Sequence, residues 1–227
     1  MIQHKNKLIY INAHSLYSLS TDRVELEKWF RNLYILLSFF GLHKDNIYVT
    51  FDDFYIDENK LLESLISLGI KNIYIFYSPN LLSVDDMSSY ISINSSKPIK
   101  PGNKKNLLSI KSKYPFIKIG VHGMSHENYS NVTLEESVNL FEKQIEYHKH
   151  NFDEECLYFA FPYGRAPDEI INRASEYFHF TFLSDNRYKI TTYVEQDKFG
   201  GIINRRHLEI GGNLIKLFIL LLREKLK

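Results

Sequence analysis

Apolar stretches rich in β-favouring residues alternate with amphipathic stretches over most of this chain, and this alternation constrains the fold more than any other feature. The stretches that predict strands are 7–11, 47–51, 72–77, 116–121, 157–161 and 180–183. Strands that are joined through helices lie parallel in one sheet or barrel. The pattern therefore predicts the α/β class, and six or seven such units indicate a distorted, incomplete (β/α) barrel.

The segments between these strands carry helix signals. The first helix is capped by Thr21 or Asp22 and ended by Gly41, and further helices are predicted at 59–68, 106–114, 134–150 and 168–178. Thr133 and Glu136 form a capping box at the start of the 134–150 helix.

The segment 78–103 interrupts the alternation with prolines and serines, and a short helix at 84–90 is its only predicted element. Long excursions of this kind cover sites more often than they join domains. With 227 residues and no internal repeat, the chain is predicted to be one domain over 1–227.

Composition and charge exclude several classes of protein. With 28 basic and 27 acidic residues, no overall field attracts nucleic acid. Cys156 is the one cysteine, which excludes an intramolecular disulfide and a thiolate-rich metal site. The N-terminus lacks the apolar region of a signal peptide, so a cytoplasmic location is expected.

An apolar C-terminal helix is predicted at about 212–225. Its apolar run, 214–222, is too short to span a bilayer. Packing on the domain is the preferred interpretation, and peripheral contact with a membrane surface is the alternative.

Two adjacent carboxylates, Asp52 and Asp53, follow the 47–51 strand. Neighbouring side chains on a strand point to opposite faces, and paired carboxylates repel unless a cation or hydrogen-bond donors offset the repulsion. A metal or acid/base centre is one interpretation of this pair, and a solvated turn is the other.

Two further strand ends carry candidate site residues. His122 and His126 follow the 116–121 strand at a spacing that can offer two imidazole nitrogens to one metal. Phe161-Pro162-Tyr163-Gly164 follows the 157–161 strand as a sharp turn that can direct a backbone N–H at a site. Chemistry in such folds collects at the carboxyl ends of strands, so the three motifs are expected to meet.

The ordered motifs TFDD (50–53), HGMSH (122–126) and FPYG (161–164) resemble the polysaccharide deacetylase family with the NodB homology domain. The resemblance extends over about residues 14–208. It implies a distorted (β/α) barrel fold. It also implies hydrolysis of an N-acetyl group on a glycan with the help of a divalent metal ion, which is expected to be zinc.

Matched motif by motif, the resemblance implies that Asp53, His122 and His126 are the metal ligands. It also implies that Asp52 is the base that takes a proton from the attacking water. The backbone N–H of Tyr163 becomes a stabiliser of the tetrahedral oxyanion.

Further roles follow from looser matches. His207 is the candidate general acid toward the leaving amine. Pro162, Tyr163, Arg206 and His14 are expected to contact the substrate, and Arg206 could orient a carboxylate or a sugar phosphate.

Three positions depart from the family pattern. Phe54 stands where a glycine is usual, and Gly123 replaces the usual hydroxyl residue and so removes a bracing contact. Ala160 replaces an arginine, which predicts that Asp52 lacks its arginine partner. These departures support an alternative function, a non-catalytic glycan-binding or scaffold protein with a degenerate site.

The preferred interpretation is a cytoplasmic, metal-dependent carbohydrate N-deacetylase. Its substrate is expected to be an N-acetylated sugar or glycan of surface polysaccharide assembly. No nucleic-acid partner is expected, and the sequence predicts no particular oligomeric state.

Overall fold

A curled sheet with helices around it forms the structure, which is a computed structural model. The structure describes residues 9–12, 23–41, 44–53, 58–82, 103–185, 187–188, 199–207, 214–215, 218–219 and 222. Its strands are β1 (Ile9–Asn12), β2 (Ile47–Phe51), β3 (Asn72–Tyr77), β4 (Lys118–Val121), β5 (Tyr158–Ala160), β6 (Phe180–Leu183), β7 (Gly201–Asn204) and β8 (Arg206–His207).

All the strand pairs are parallel, in the order β7-β6-β5-β4-β3-β2-β1-β8. The two edge strands, β7 and β8, are consecutive in the chain. The segment 201–207, which we call the closing strand, pairs with β6 through its first half and with β1 through its second half. This one segment therefore closes the curled sheet.

Helices connect the strands on the outside of the sheet. Their bounds are α1 (Arg23–Ser38), α2 (Glu58–Ser67), α3 (Pro79–Leu82), α4 (Lys104–Lys113), α5 (Leu134–Phe152) and α6 (Asp168–Ala174). The predicted capping box opens α5, with Thr133 and Glu136 bonded to each other's backbone N–H. The outcome confirms the predicted distorted (β/α) barrel.

Strand alternation divides the core into an outer and an inner layer. Val49, Ile73 and Ile75 belong to the large cluster that the sheet shares with the helices. The neighbouring positions belong to a second cluster, which is strongly aromatic and consists of Tyr10, Tyr48, Tyr74, Phe76, Ala160, Phe180, Phe182 and Ile203. This inner cluster fills the barrel below the carboxyl ends of the strands.

Several predicted boundaries move by a few residues. β4 starts at Lys118 because Ile117 N–H still closes a turn onto Tyr114 O at 3.0 Å. α4 starts early because the Asn103 side chain caps it, accepting from Asn106 N at 3.0 Å. The predicted residues 7–8, the caps at 21–22 and the 84–90 helix lie outside the described residues.

The described residues of the predicted C-terminal helix are helical. Leu214 packs on the large core cluster, and the Phe218 ring lies 5.8 Å from that of Phe40. Ile215, Ile219 and Leu222 are exposed. Within the described part of the chain, no helix has both the length and the hydropathy needed to cross a membrane.

Candidate metal and catalytic site

The three sequence motifs meet at the carboxyl end of the barrel. Asp52 and Asp53 follow β2, His122 follows β4, and the Pro162–Gly164 turn follows β5. The structure brings these side chains together because parallel neighbouring strands all end at this edge.

One carboxylate and two imidazoles converge there. Asp53 Oδ2 lies 3.5 Å from His126 Nε2, and Asp53 Oδ1 lies 3.9 Å from His122 Nε2. One ligand atom from each of the three residues falls within a 4.8 Å span. Asp53 Oδ1 is buried and has no hydrogen-bond partner among the described residues. A carboxylate with two imidazoles is a donor set that suits zinc and related divalent ions.

His122 is held in the orientation that a metal ligand needs. Its Nδ1 lies 2.7 Å from the carbonyl oxygen of Ala160. A carbonyl can only accept, so Nδ1 carries the proton and the lone pair is on Nε2, the nitrogen that faces Asp53. The backbone is fixed as well, because His122 N donates to Tyr77 O and Ser78 Oγ donates to His122 O.

Burial changes the acid–base properties of two of these groups. Desolvation, with repulsion from Asp52, raises the pKa of Asp53 to about 8. Desolvation lowers the pKa of His126, which favours the neutral imidazole that can ligate a metal. The Asp53 carboxylate therefore costs free energy when it is charged alone, and a nearby cation would offset that cost.

Backbone strain concentrates at the same place. Asp53 (φ 59°), His126 (φ 60°) and Tyr163 (φ 59°) adopt the left-handed conformation that non-glycine residues rarely take. The fourth such residue in the described part of the chain, Asp153, caps the end of α5. Strain of this kind persists where the surrounding structure enforces it, and it is enriched at functional sites.

The loop between the two histidines is braced despite the glycine at 123. Glu127 Oε1 accepts from Ser125 N at 2.8 Å, and Asn80 bonds both Met124 O and Ser125 Oγ. Gly123 has φ +77°, and a Cβ added there would lie 2.6 Å from Glu127 Oε2. Gly123 has no side chain to supply the usual bracing contact, and a carboxylate from residue 127 bonds this loop by a different contact.

The Pro-Tyr-Gly turn lies against the histidine loop. The Tyr163 ring centroid is 4.8 Å from that of His126, and the Tyr163 side chain is 52% exposed. A Cβ on Gly123 would lie 3.1 Å from Pro162 Cγ. The turn thus forms one wall of the site and presents an aromatic surface to solvent.

Asp52 has an arginine partner, contrary to the prediction from Ala160. Arg205 Nη1 donates to Asp52 Oδ1 at 2.6 Å, and Nη2 donates to Oδ2 at 2.8 Å. Nη1 also lies 2.8 Å from Thr50 Oγ1. The sequence indicates the neighbouring residue, Arg206, as one that could orient a carboxylate. The pair Arg205-Arg206, close after the apolar Ile202-Ile203, is the sequence signal for an arginine at this place.

The structure leaves some predicted site residues without a test. His14 and Phe54 lie outside the described residues. Arg206 and His207 belong to β8, where His207 pairs with Asn12 through the backbone, and their side chains lie outside the described part. The roles assigned to these residues stay predictions.

The family model described as polysaccharide deacetylase matches residues 41–179, more than half of the chain. This chain belongs to that family. The match covers all three motifs.

Solved structures share the fold at low sequence identity. IcaB from Ammonifex degensii has a TM-score of 0.65 and 13% identity over 89% of this chain and 92% of its own. A de-N-acetylase from Aggregatibacter actinomycetemcomitans has a TM-score of 0.64 and 12% identity over 93% of this chain and 98% of its own. The deacetylase PplD from Streptococcus pyogenes, in complex with acetate, has a TM-score of 0.62 and 15% identity over 94% of this chain and 97% of its own. No curated protein sequence matches this chain.

Proposed function

We propose that this chain is a metal-dependent hydrolase that removes an N-acetyl group from an amino sugar or glycan, in surface polysaccharide assembly. The observation that carries the proposal is the convergence of Asp53, His122 and His126 on one point, with Asp53 Oδ1 buried and unbonded among the described residues. Membership of the polysaccharide deacetylase family supports the reaction class.

The residues present fit a divalent metal ion, and zinc is the ion we propose. Asp53 Oδ1 or Oδ2, His122 Nε2 and His126 Nε2 would hold it. An ion held there supplies Lewis-acid polarisation of the acetyl carbonyl and a lowered pKa for the attacking water. With three protein ligands, a bound ion would have room for water or substrate, as in catalytic metal sites.

Asp52 is the proposed general base. Its carboxylate is buried beside Asp53 but does not belong to the ligand cluster. Arg205 occupies one acceptor position on each oxygen, and a carboxylate has about four such positions, so it can still accept a proton. The left-handed turn at Asp53 separates the roles of two neighbouring carboxylates.

Tyr163 is the proposed oxyanion stabiliser, through its backbone N–H. The left-handed conformation at Tyr163 turns the Pro162–Gly164 backbone next to His126. A backbone donor beside a metal site suits the negative oxygen of a tetrahedral intermediate. The exposed Tyr163 ring is a candidate surface for a sugar ring.

The test is an acetate-release screen of the purified protein loaded with zinc, cobalt or manganese, against a panel of N-acetylhexosamine donors. Release from at least one donor is expected, together with about one metal ion per chain by elemental analysis. No release from any donor would defeat the proposal. Retained sugar binding without a metal would instead support the non-catalytic glycan-binding alternative.

The cytoplasmic location and the peripheral membrane contact through the C-terminal helix stay predictions. Sedimentation of the protein with anionic vesicles, compared with an Ile215→Glu/Ile219→Glu variant, tests the membrane contact through two exposed apolar residues.

A further inference from the structure

The barrel closes at the same point where the proposed base is held. Arg205 is the residue between β7 and β8, where the closing strand leaves β6 and begins to pair with β1. Its backbone N–H donates to Leu183 O at 2.8 Å, which keeps it on the β6 side. Its guanidinium reaches across the barrel to Asp52, which follows β2.

The Arg205–Asp52 pair is fully enclosed. Arg205 is 2% exposed and Asp52 is 1% exposed. The guanidinium carbon lies 5.6 Å from the Phe76 ring and 5.7 Å from the Phe182 ring, and the two rings are 5.0 Å apart, so the cation lies beside a pair of aromatic side chains of the inner cluster. A bidentate pair in such surroundings fixes the plane of the carboxylate as well as its charge.

Ala160 cannot provide this contact, although it belongs to the same inner cluster as Phe76 and Phe182. Its side chain is a single methyl group. The family pattern would place an arginine at that position on β5, whereas in this chain the arginine comes from the closing strand, which is separated from β5 by β6.

We propose that Arg205 is the positioning residue for Asp52, and that closure of the barrel by the closing strand sets the geometry of the base. The guanidinium holds both carboxylate oxygens and offsets the repulsion between Asp52 and Asp53. This inference rests on the proposed deacetylase function.

The test separates this role from a merely structural one. In Arg205→Met, kcat should fall by roughly 10–100-fold, while KM and metal content should stay within about twofold of wild type. Arg205→Lys should be intermediate, because an ammonium cannot make the bidentate contact. Arg173→Met, which removes an exposed arginine from its ion pair with Glu176, is the matched control and should leave kcat unchanged.

A second variant keeps the test decisive if Arg205→Met folds poorly. Ala160→Arg/Arg205→Ala moves the guanidinium to β5, so it should recover turnover relative to Arg205→Ala. The urea midpoint should stay low, because the link between the closing strand and β2 is still missing.

If turnover falls in proportion to the urea midpoint in all the variants, the inference is overturned, and Arg205 only stabilises the fold. Wild-type turnover in Arg205→Met would also overturn it, with the deacetylase function intact. No acetate release by the wild type would remove both proposals.

Discussion

Asp52 and Asp53 are neighbours in the chain with different surroundings. Asp52 continues the inward-facing row of Tyr48 and Thr50 and meets the Arg205 guanidinium. Asp53 adopts φ 59°, which turns its carboxylate toward the histidines. One residue of left-handed backbone thus allows two adjacent carboxylates to face different partners.

Because the two aspartates have different surroundings, substitution of the proposed base and substitution of a proposed metal ligand should have different effects. Asp52→Asn should keep metal binding, because Asp52 is outside the ligand cluster, and should lose roughly 10²–10⁴-fold in kcat as a lost general base. His126→Ala should lose both metal and turnover. Elemental analysis and acetate release measure the two effects. Equal activity of Asp52→Asn and wild type would refute the base assignment.

Gly123 tests the brace that Glu127 provides. Gly123→Ala should weaken metal affinity about tenfold or more, because the new Cβ would lie 2.6 Å from Glu127 Oε2 and would push away the carboxylate that bonds the histidine loop, and because alanine is strained at φ +77°. Metal titration with a chromophoric chelator as competitor measures the effect.

Gly41→Ala is the matched control for that experiment. Gly41 has a similar φ of +72°, but a Cβ there would meet nothing within 4 Å. It should cost about 1 kcal/mol of stability through backbone strain and leave metal affinity unchanged. Equal metal affinities of Gly123→Ala and wild type would mean that the loop does not need this glycine.

At the scale of elements, the sequence predicts the parts with a strong periodic signal. β2, β3 and β6 have the predicted bounds because each is a mostly apolar run of β-favouring residues that lies between two layers of the core. The closing strand was missed, since Asn204, Arg205, Arg206 and His207 give no apolar alternation. Its strand conformation depends on two distant neighbours, β6 and β1.

The dependence on distant neighbours also decides which site residues the sequence can predict. The sequence places Asp53, His122 and His126 together because all three lie within five residues of the end of a predicted strand, whereas it indicates Arg206 and not Arg205 as the arginine beside a carboxylate. The register of the closing strand decides which of two adjacent arginines reaches Asp52, and that register is a tertiary property.

α5 is the first α-helix after the loop that contains His126, and its first turn is a useful test of element stability. Thr133→Ala should lower the free energy of unfolding by about 1 kcal/mol, because Thr133 Oγ1 no longer accepts from Glu136 N at 3.2 Å. Urea denaturation followed by circular dichroism measures the change. An unchanged midpoint would show that the cap contributes nothing.

Glu136 adds a pH dependence to the same cap. Hydrogen bonds from Thr133 hold the pKa of Glu136 below its ordinary value. Because the folded-state pKa is the lower one, the contribution is present at neutral pH and is lost as pH falls through the folded-state pKa.

Glu136→Gln should therefore destabilise the protein at neutral pH, and its difference from wild type should shrink on acidification. Glu135→Gln is the matched control, since both acids lie in the first turn and Glu136 is the one bonded to Thr133. Identical pH profiles for the two variants would contradict the capping role.

At the scale of the whole molecule, one sheet joins the first and last strands. β1 pairs with both β2 and β8, and the large core cluster contains residues from α1 through β6. Contacts of this range make the described part of the chain a candidate for one cooperative unit, in line with the predicted single domain.

Two natural reporters in different parts of the core test that prediction. Trp29 lies on α1 and is 9% exposed, and Cys156 lies just before β5 and is 5% exposed. Burial raises the pKa of the Cys156 thiol, so native protein should react with a thiol reagent roughly 10³-fold or more slowly than unfolded protein. Tryptophan fluorescence and pulsed thiol labelling should then give the same urea midpoint, because unfolding exposes both sites together. Two separate midpoints would show that the α1 side and the β5 side unfold independently, and the single-domain prediction would be wrong.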